Sequence, residues 1–187
     1  MNAAAREQIF AVVVDRVANE NLRRHMLATE AIMRGLAERL GADEDVWGLT
    51  GLAHDLDTED TETDETRHGV EAAAVLRQLG LPEEAAHAVE AHNAATGVVA
   101  QSQFDIALLA ADQLSGLITA AALVRPDKSL IGVAPKSVRK RFKETAFARG
   151  VERESILRCE TLGVPLDDFI EIGLAAMQGV AADLGLA

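Results

Sequence analysis

The sequence predicts an all-α fold, and three observations carry that prediction. Apolar residues recur at three- and four-residue spacing through nearly all of the 187 positions. No stretch alternates with the two-residue period of a strand. Alanine, the best helix former, fills 34 positions against four prolines. A chain of this length reads as a single helical domain over residues 1–187, long enough to bury a core without disulfide or structural-metal staples. Its core is expected over about 19–125, with C-terminal helices of about 136–187 packed on it.

The elements follow from their start and stop signals. A first helix fits Ala4 to Ala18. Asn19 or Asn21 can cap a second, from Leu22 to Leu40, which stops at Gly41. Asp43 and Asp45 open a third through Trp47, Leu49 and Leu52, and a polar loop is expected from Asp57 to Thr66. Thr66 can cap a fourth helix, Arg67 to Leu79, ended by Gly80. Pro82 followed by two glutamates starts Glu83 to His92. The long apolar stretch Phe104 to Val124 forms the sixth and is stopped by Pro126; Lys136–Arg149, Glu152–Leu162 and Asp167–Leu184 supply three more. Phe104–Val124 is long enough to span a bilayer, but Asp105, Asp112 and Gln113 within it favour a buried core helix.

Composition excludes several classes of function. Thirty acidic residues against eighteen basic ones give a net charge of −12, which repels a nucleic-acid backbone. Five Phe, one Trp and no Tyr offer no platform for stacking bases. Cys159 is the only cysteine, so no internal disulfide or CxxC site exists, and it is expected as a buried small hydrophobe. The opening MNAAAREQIF brings charge before any apolar stretch and does not read as a secretory signal, so a cytoplasmic location is expected.

Polar residues on apolar faces are where function is sought. Asp112 lies among Leu108, Leu109, Ser115 and Gly116, and a carboxylate buried there needs a cation or several donors. It is either a metal ligand or a hydrogen-bonder at a helix crossing. His25 shares the buried stripe of Leu22, Thr29 and Ile32, as a satisfied core residue or a ligand. His54 and Asp55 are neighbours about 100° apart on a helix, so they meet one ion only at a helix end or around an ion between them. His68 is expected to open the fourth helix and His92 to close the fifth, while His87, between Glu84 and Glu90, is expected in solvent. HAVEAH sets its histidines five apart, about 140° around a helix, which rejects the two-histidine grip of HExxH. Seven carboxylates within the eleven positions Asp55–Glu65 read mainly as a solvated loop.

The ordered set His25, His54-Asp55, His68, His92 and Asp112 resembles the HD-domain superfamily of metal-dependent phosphohydrolases. The surrounding stretches NLRRHMLATEAIMRGLA, GLAHDLD, RHGVEAAAVL, AVEAHN, AADQLSGLITAAALVRP and PKSVRKRFKETAFARGVERESIL resemble a bacterial group of predicted HD hydrolases. The resemblance implies an HD-type helical bundle. It also implies one divalent metal held by His25, His54, Asp55 and Asp112, and a second held by His68 and His92 with Asp55 bridging. The chain departs from the two-metal phosphodiesterases at His92-Asn93, where paired histidines are common, and it lacks a Gly-Tyr-Pro signature. Mixed imidazole and carboxylate ligands suit Mn, Fe, Co, Ni or Zn. No organic cofactor is expected.

The implied chemistry is hydrolysis of a small phosphate ester, of nucleotide or phosphodiester type, by a metal-activated water, with Asp57 as a candidate general acid. A di-iron oxygenase on the same ligands, or a catalytically idle metal- or nucleotide-binding domain, are the alternatives. Lys136, Arg139 and Lys140, with Lys143, recur on one helix face that either meets substrate phosphate or is solvated. The expected partner is a small anionic phosphate-containing molecule rather than a nucleic-acid polymer or a membrane, and a homodimer is the default expectation for a small enzyme.

Overall fold

The computed structural model describes residues 3–187; Met1 and Asn2, part of the opening read above as no signal, lie outside them. Among the described residues there are ten α-helices and no strand. They are α1 (Ala3–Arg16), α2 (Glu20–Leu40), α3 (Glu44–Ala53), α4 (Thr58–Thr61) and α5 (Val70–Gln78). After them come α6 (Glu83–His92), α7 (Gln103–Leu123), α8 (Pro135–Lys143), α9 (Arg153–Leu157) and α10 (Leu166–Gly179).

Local chemistry sets most of these boundaries. Asn19 Oδ1 accepts the N–H groups of Asn21 and Leu22, and α2 ends at Gly41 in the left-handed conformation. Asp43 accepts the N–H of Val46 at 2.9 Å to start α3. Ser102 and Asp105 form a capping box for α7. Several expected boundaries move. A short helix, α4, forms within the loop expected from Asp57 to Thr66, and the helix expected over Glu152–Leu162 is α only to Leu157, with a 3-10 turn over Arg158–Leu162. Thr66 does not cap a helix, because its hydroxyl donates to Asp64 at 2.6 Å; the next helix begins only at Val70. The basic helix stops at Lys143 instead of Arg149: Glu144 takes an extended backbone, and the carbonyls of Glu144, Ala148 and Val151 beyond the helix accept from the Arg153 guanidinium. The last helix ends at Gly179, where Gln178 reaches across to the carbonyls of Leu130 and Val133.

α7 passes through the middle of the bundle. It is long and apolar enough to cross a membrane by length and composition, but Leu108, Leu114, Leu117 and Ile118 are fully buried in the protein core. It packs against α2 on one side, α6 on another and α9 on a third. Trp47 of α3 stacks on Phe104 of α7, with ring centroids 5.0 Å apart. α10 lies across α2, and Phe169, fully buried, joins the same core. Cys159 is also fully buried, and burial pushes its thiol up to about 12.

α2 and α3 approach each other closely. A Cβ on Gly51 would sit 3.0 Å from the backbone carbon and oxygen of Thr29, atoms that cannot step aside without moving α2. Gly51 also supplies the carbonyl that accepts from His54 Nδ1 at 2.8 Å. Gly51→Ala is therefore expected to destabilise the fold by about 1–3 kcal/mol, the usual cost of overpacking. It should also weaken metal uptake, because separating α2 from α3 separates His25 from His54. Chemical denaturation and metal titration of the variant measure both.

Candidate metal centre

Four helices and one turn bring six side chains to one place. His25 comes from the second turn of α2, His54 and Asp55 from the end of α3, His92 from the last residue of α6 and Asp112 from the middle of α7. His68 comes from the turn before α5 instead of from within a helix. His25, His54 and Asp55 offer ligand atoms that all lie within 4.8 Å of one another, and Asp55, His68 and His92 do the same. Asp55 is common to both groups. Its Oδ1 is 3.4 Å from His54 Nε2, 3.5 Å from His68 Nε2 and 3.4 Å from His92 Nε2. Its Oδ2 is 3.6 Å from His25 Nε2. Asp112 Oδ1 is 2.9 Å from His25 Nε2 and 3.8 Å from His54 Nε2.

The hydrogen bonds behind the rings decide what the centre can hold. His54 Nδ1 and His92 Nδ1 face backbone carbonyls, of Gly51 and Val89, so both nitrogens carry the proton and donate it. His68 Nδ1 donates to Asp57 Oδ1 at 2.9 Å. His25 Nδ1 lies 2.9 Å from Ser115 Oγ, whose own proton goes to the Asp112 carbonyl, so the hydroxyl accepts from the ring. All four rings thus share one tautomer, with the Nε2 lone pair turned towards the two carboxylates. Two of these lone pairs, on His68 and His92, face each other at 3.1 Å. His54 Nε2 is fully buried and has no hydrogen-bond partner. With the rings neutral, these lone pairs and the carboxylates repel one another, and positive charge between them, a proton or a metal ion, removes the repulsion. The donor set fits a divalent transition metal on each side of Asp55.

The electrostatics agree. Burial opposes a charge on His25, but the hydrogen bond to Asp112 and the charges of Asp112 and Asp55 outweigh it and raise the ring to about 9. Burial likewise opposes ionisation of Asp55. The charge of His54, the bond to His92 and the field of His25 outweigh it and hold the carboxyl below the usual range. Asp112 is depressed against its own burial, chiefly by His25 and His54. The carboxylates draw positive charge into this space, as a proton or as a metal ion.

Asp57 is not placed as a general acid. It is fully buried, and both of its oxygens are in use: Oδ1 accepts from His68, and Oδ2 accepts the N–H groups of Gly69 and Ala72 at 2.9 and 2.8 Å. Burial would raise its pKa, but these donors lower it, so it stays ionised and has no proton to give. Its work is to orient His68 and to hold the start of α5. Asp57→Asn is expected to weaken metal binding at the His68–His92 side by about 10–100-fold, the usual effect of losing a ligand's supporting partner. The His25–His54 side should keep its affinity; metal titration by calorimetry separates the two.

Several supporting residues were not found by reading the sequence. Ser115 lies 90 positions from the ring it orients. Gln113 donates to Asp112 Oδ2 at 2.7 Å and accepts the N–H of Glu152, which ties the metal-facing carboxylate to the C-terminal helices. Asn93 donates to the carbonyls of Glu65 and His68, pinning the acidic loop to the end of α6. Gly69, at φ +89°, lets the backbone pass His92, because a Cβ there would lie 2.7 Å from the Val89 carbonyl oxygen. A polar residue after a ligand, or a glycine after a histidine, was the only available signal.

One other expectation resolves differently. His87 is not simply in solvent: its ring pairs with the buried carboxylate of Asp105 at 3.1 Å. On α8, Arg139 pairs with Asp167 at 3.0 Å and Lys140 lies 4.0 Å from Glu144, while Lys136 is exposed. No hydrogen bond or ion pair joins these three to the histidine cluster among the described residues.

The family model for the HD domain matches residues 22–117, about half of the chain, from α2 into α7 and across all six clustered side chains. No curated protein and no solved structure matches the chain.

Proposed function

The chain belongs to the HD-domain family, and from that premise we propose that it is a metal-dependent phosphohydrolase with two divalent ions, acting on a small phosphate ester. The observation that carries this reading is the common tautomer of the four histidines, whose Nε2 atoms all face Asp55 and Asp112. His25, His54, Asp55 and Asp112 would hold one ion, and His68, His92 and Asp55 the other. Bound there, such ions lower the pKa of a coordinated water to about 7 and polarise a phosphoryl oxygen.

The protein's own residues do the positioning. Ser115 and the carbonyls of Gly51 and Val89 fix three of the rings, and Asp57 fixes the fourth. Gln113 holds one oxygen of Asp112, leaving the other to face His25. Positive charge at the centre is also what attracts an anionic substrate to a chain of net charge −12. The net charge supports a small, freely diffusing substrate over a nucleic-acid polymer.

The test is a panel of phosphomonoesters and phosphodiesters assayed with protein reloaded with Mn or Co. Turnover of at least one class, abolished by a chelator and restored by metal, is the expected result. Full metal loading with no turnover on any ester contradicts the reading; a coloured, iron-loaded protein in the same preparation would move the assignment to oxygen chemistry on the same ligands.

A further inference from the structure

Beside His25 lies a cavity of about 610 Å³, formed between α7 and the C-terminal segment. Ala120 and Leu123 of α7 and Leu184 and Leu186 supply its apolar walls, and the charged side chains lining it with His25 are Arg24 and Lys128. It has no carboxylate in its lining, in a chain with thirty acidic residues. The cavity beside His92, about 500 Å³, is lined by Glu152 as well as Arg158 and is less suited to an anion.

The two cations are placed by the fold. The Arg24 guanidinium is held by Glu20 at 2.6 Å and lies over Gly185, where a Cβ would come within 3.0 Å of it. Lys128 makes no ion pair among the described residues and takes φ +50°, a backbone conformation that costs a lysine energy. Its turn is braced by the Arg125–Asp127 pair and fastened to the C-terminal segment by the bond from Leu130 N–H to the Leu186 carbonyl at 2.8 Å. The backbone that carries Lys128 is thus tied to the C-terminal wall of the cavity.

Resting on the phosphohydrolase reading, we propose that this cavity takes the organic part of the substrate, and that the substrate is a phosphate ester of an apolar group bearing a second anion met by Lys128 and Arg24. The scissile phosphate lies at the histidine cluster, the apolar group against Ala120, Leu123 and Leu186, and the second anion against the two cations. Strain at Lys128 is then the cost of setting a cation at this position.

Binding of four probes to metal-loaded protein, by calorimetry, tests this: inorganic phosphate, methylphosphonate, hexylphosphonate and 6-phosphonohexanoate. Hexylphosphonate is expected to bind at least about tenfold tighter than methylphosphonate, because five added methylenes are partly buried. The terminal carboxylate should add roughly threefold or more, the scale of one charge-assisted contact. Ala120→Trp, which fills the cavity, should remove the chain-length gain while leaving inorganic phosphate unchanged. Leu123→Asn, at a half-exposed position, should reduce the same gain without threatening the fold. Lys128→Gly should remove the carboxylate's gain while keeping or raising Tm, since glycine accepts the left-handed backbone. Equal affinity for the two alkylphosphonates overturns the proposal, as does loss of the gain in Val99→Trp, which fills the cavity beside His92, instead of in Ala120→Trp. Failure of all four probes, inorganic phosphate included, overturns the phosphohydrolase reading on which it rests.

Discussion

Asp55→Asn is expected to leave the protein without bound metal and without esterase turnover. No other side chain in the centre reaches both groups of ligands: Asp55 lies 3.4–3.6 Å from the Nε2 atoms of all four histidines. The amide keeps the shape but removes the negative charge and one acceptor oxygen, so neither ion retains its shared ligand. Turnover should fall by about 10³-fold or more, equivalent to roughly 4 kcal/mol of transition-state stabilisation. His92→Ala should lose only the ion on its own side. An Asp55→Asn protein that binds two ions and hydrolyses esters normally would remove Asp55 from the bridging position.

The second large effect is on stability. Metal that binds only the folded chain stabilises it by about 4 kcal/mol at a free concentration a thousandfold above Kd. For a chain of this size that corresponds to a rise in Tm of about 8–16 °C, reversed by chelator. The gain should depend on pH in a defined direction. Without metal, His25, raised from 6.5 to about 9, contributes stability that is complete below 6.5 and lost as pH rises through about 9. Asp55 and Asp112, both depressed from 3.8, contribute stability that is present above that value and lost as pH falls further. Metal must displace the proton from His25, so the metal-induced rise in Tm should grow as pH increases from 6.5 towards 9. A rise of constant size across that window would show that no ring proton is displaced.

The helical fold was legible because it is a periodic property: α2, α6 and α7 announce themselves by stripe, cap and stop within their own sequence. The six clustered side chains were nameable because their types and order resemble a family pattern, even though Asp112 and His25 could each be read alone as core residues. What supports those side chains was not legible. Asp57 read as a loop carboxylate and candidate general acid, yet it is buried beneath His68 and the start of α5. Ser115, Gln113 and Asn93 act on partners 90, 39 and 25–28 positions away, distances over which no local pattern carries information. The same holds for His87, whose helix face looks outward until α7 brings Asp105 against it. Helix ends also moved where the chain beyond the helix is held by a side chain from outside it, as it is by Arg153 beyond α8.

Metal content per chain, measured by elemental analysis on protein prepared without chelator and reloaded with Mn, tests the two-ion centre most directly. Two ions in the unsubstituted chain, one in His68→Ala and none in Asp55→Asn are the expected results. One ion in the unsubstituted chain and one in His68→Ala would confine the centre to His25, His54, Asp55 and Asp112, and no ion in any of them would contradict the metal centre altogether.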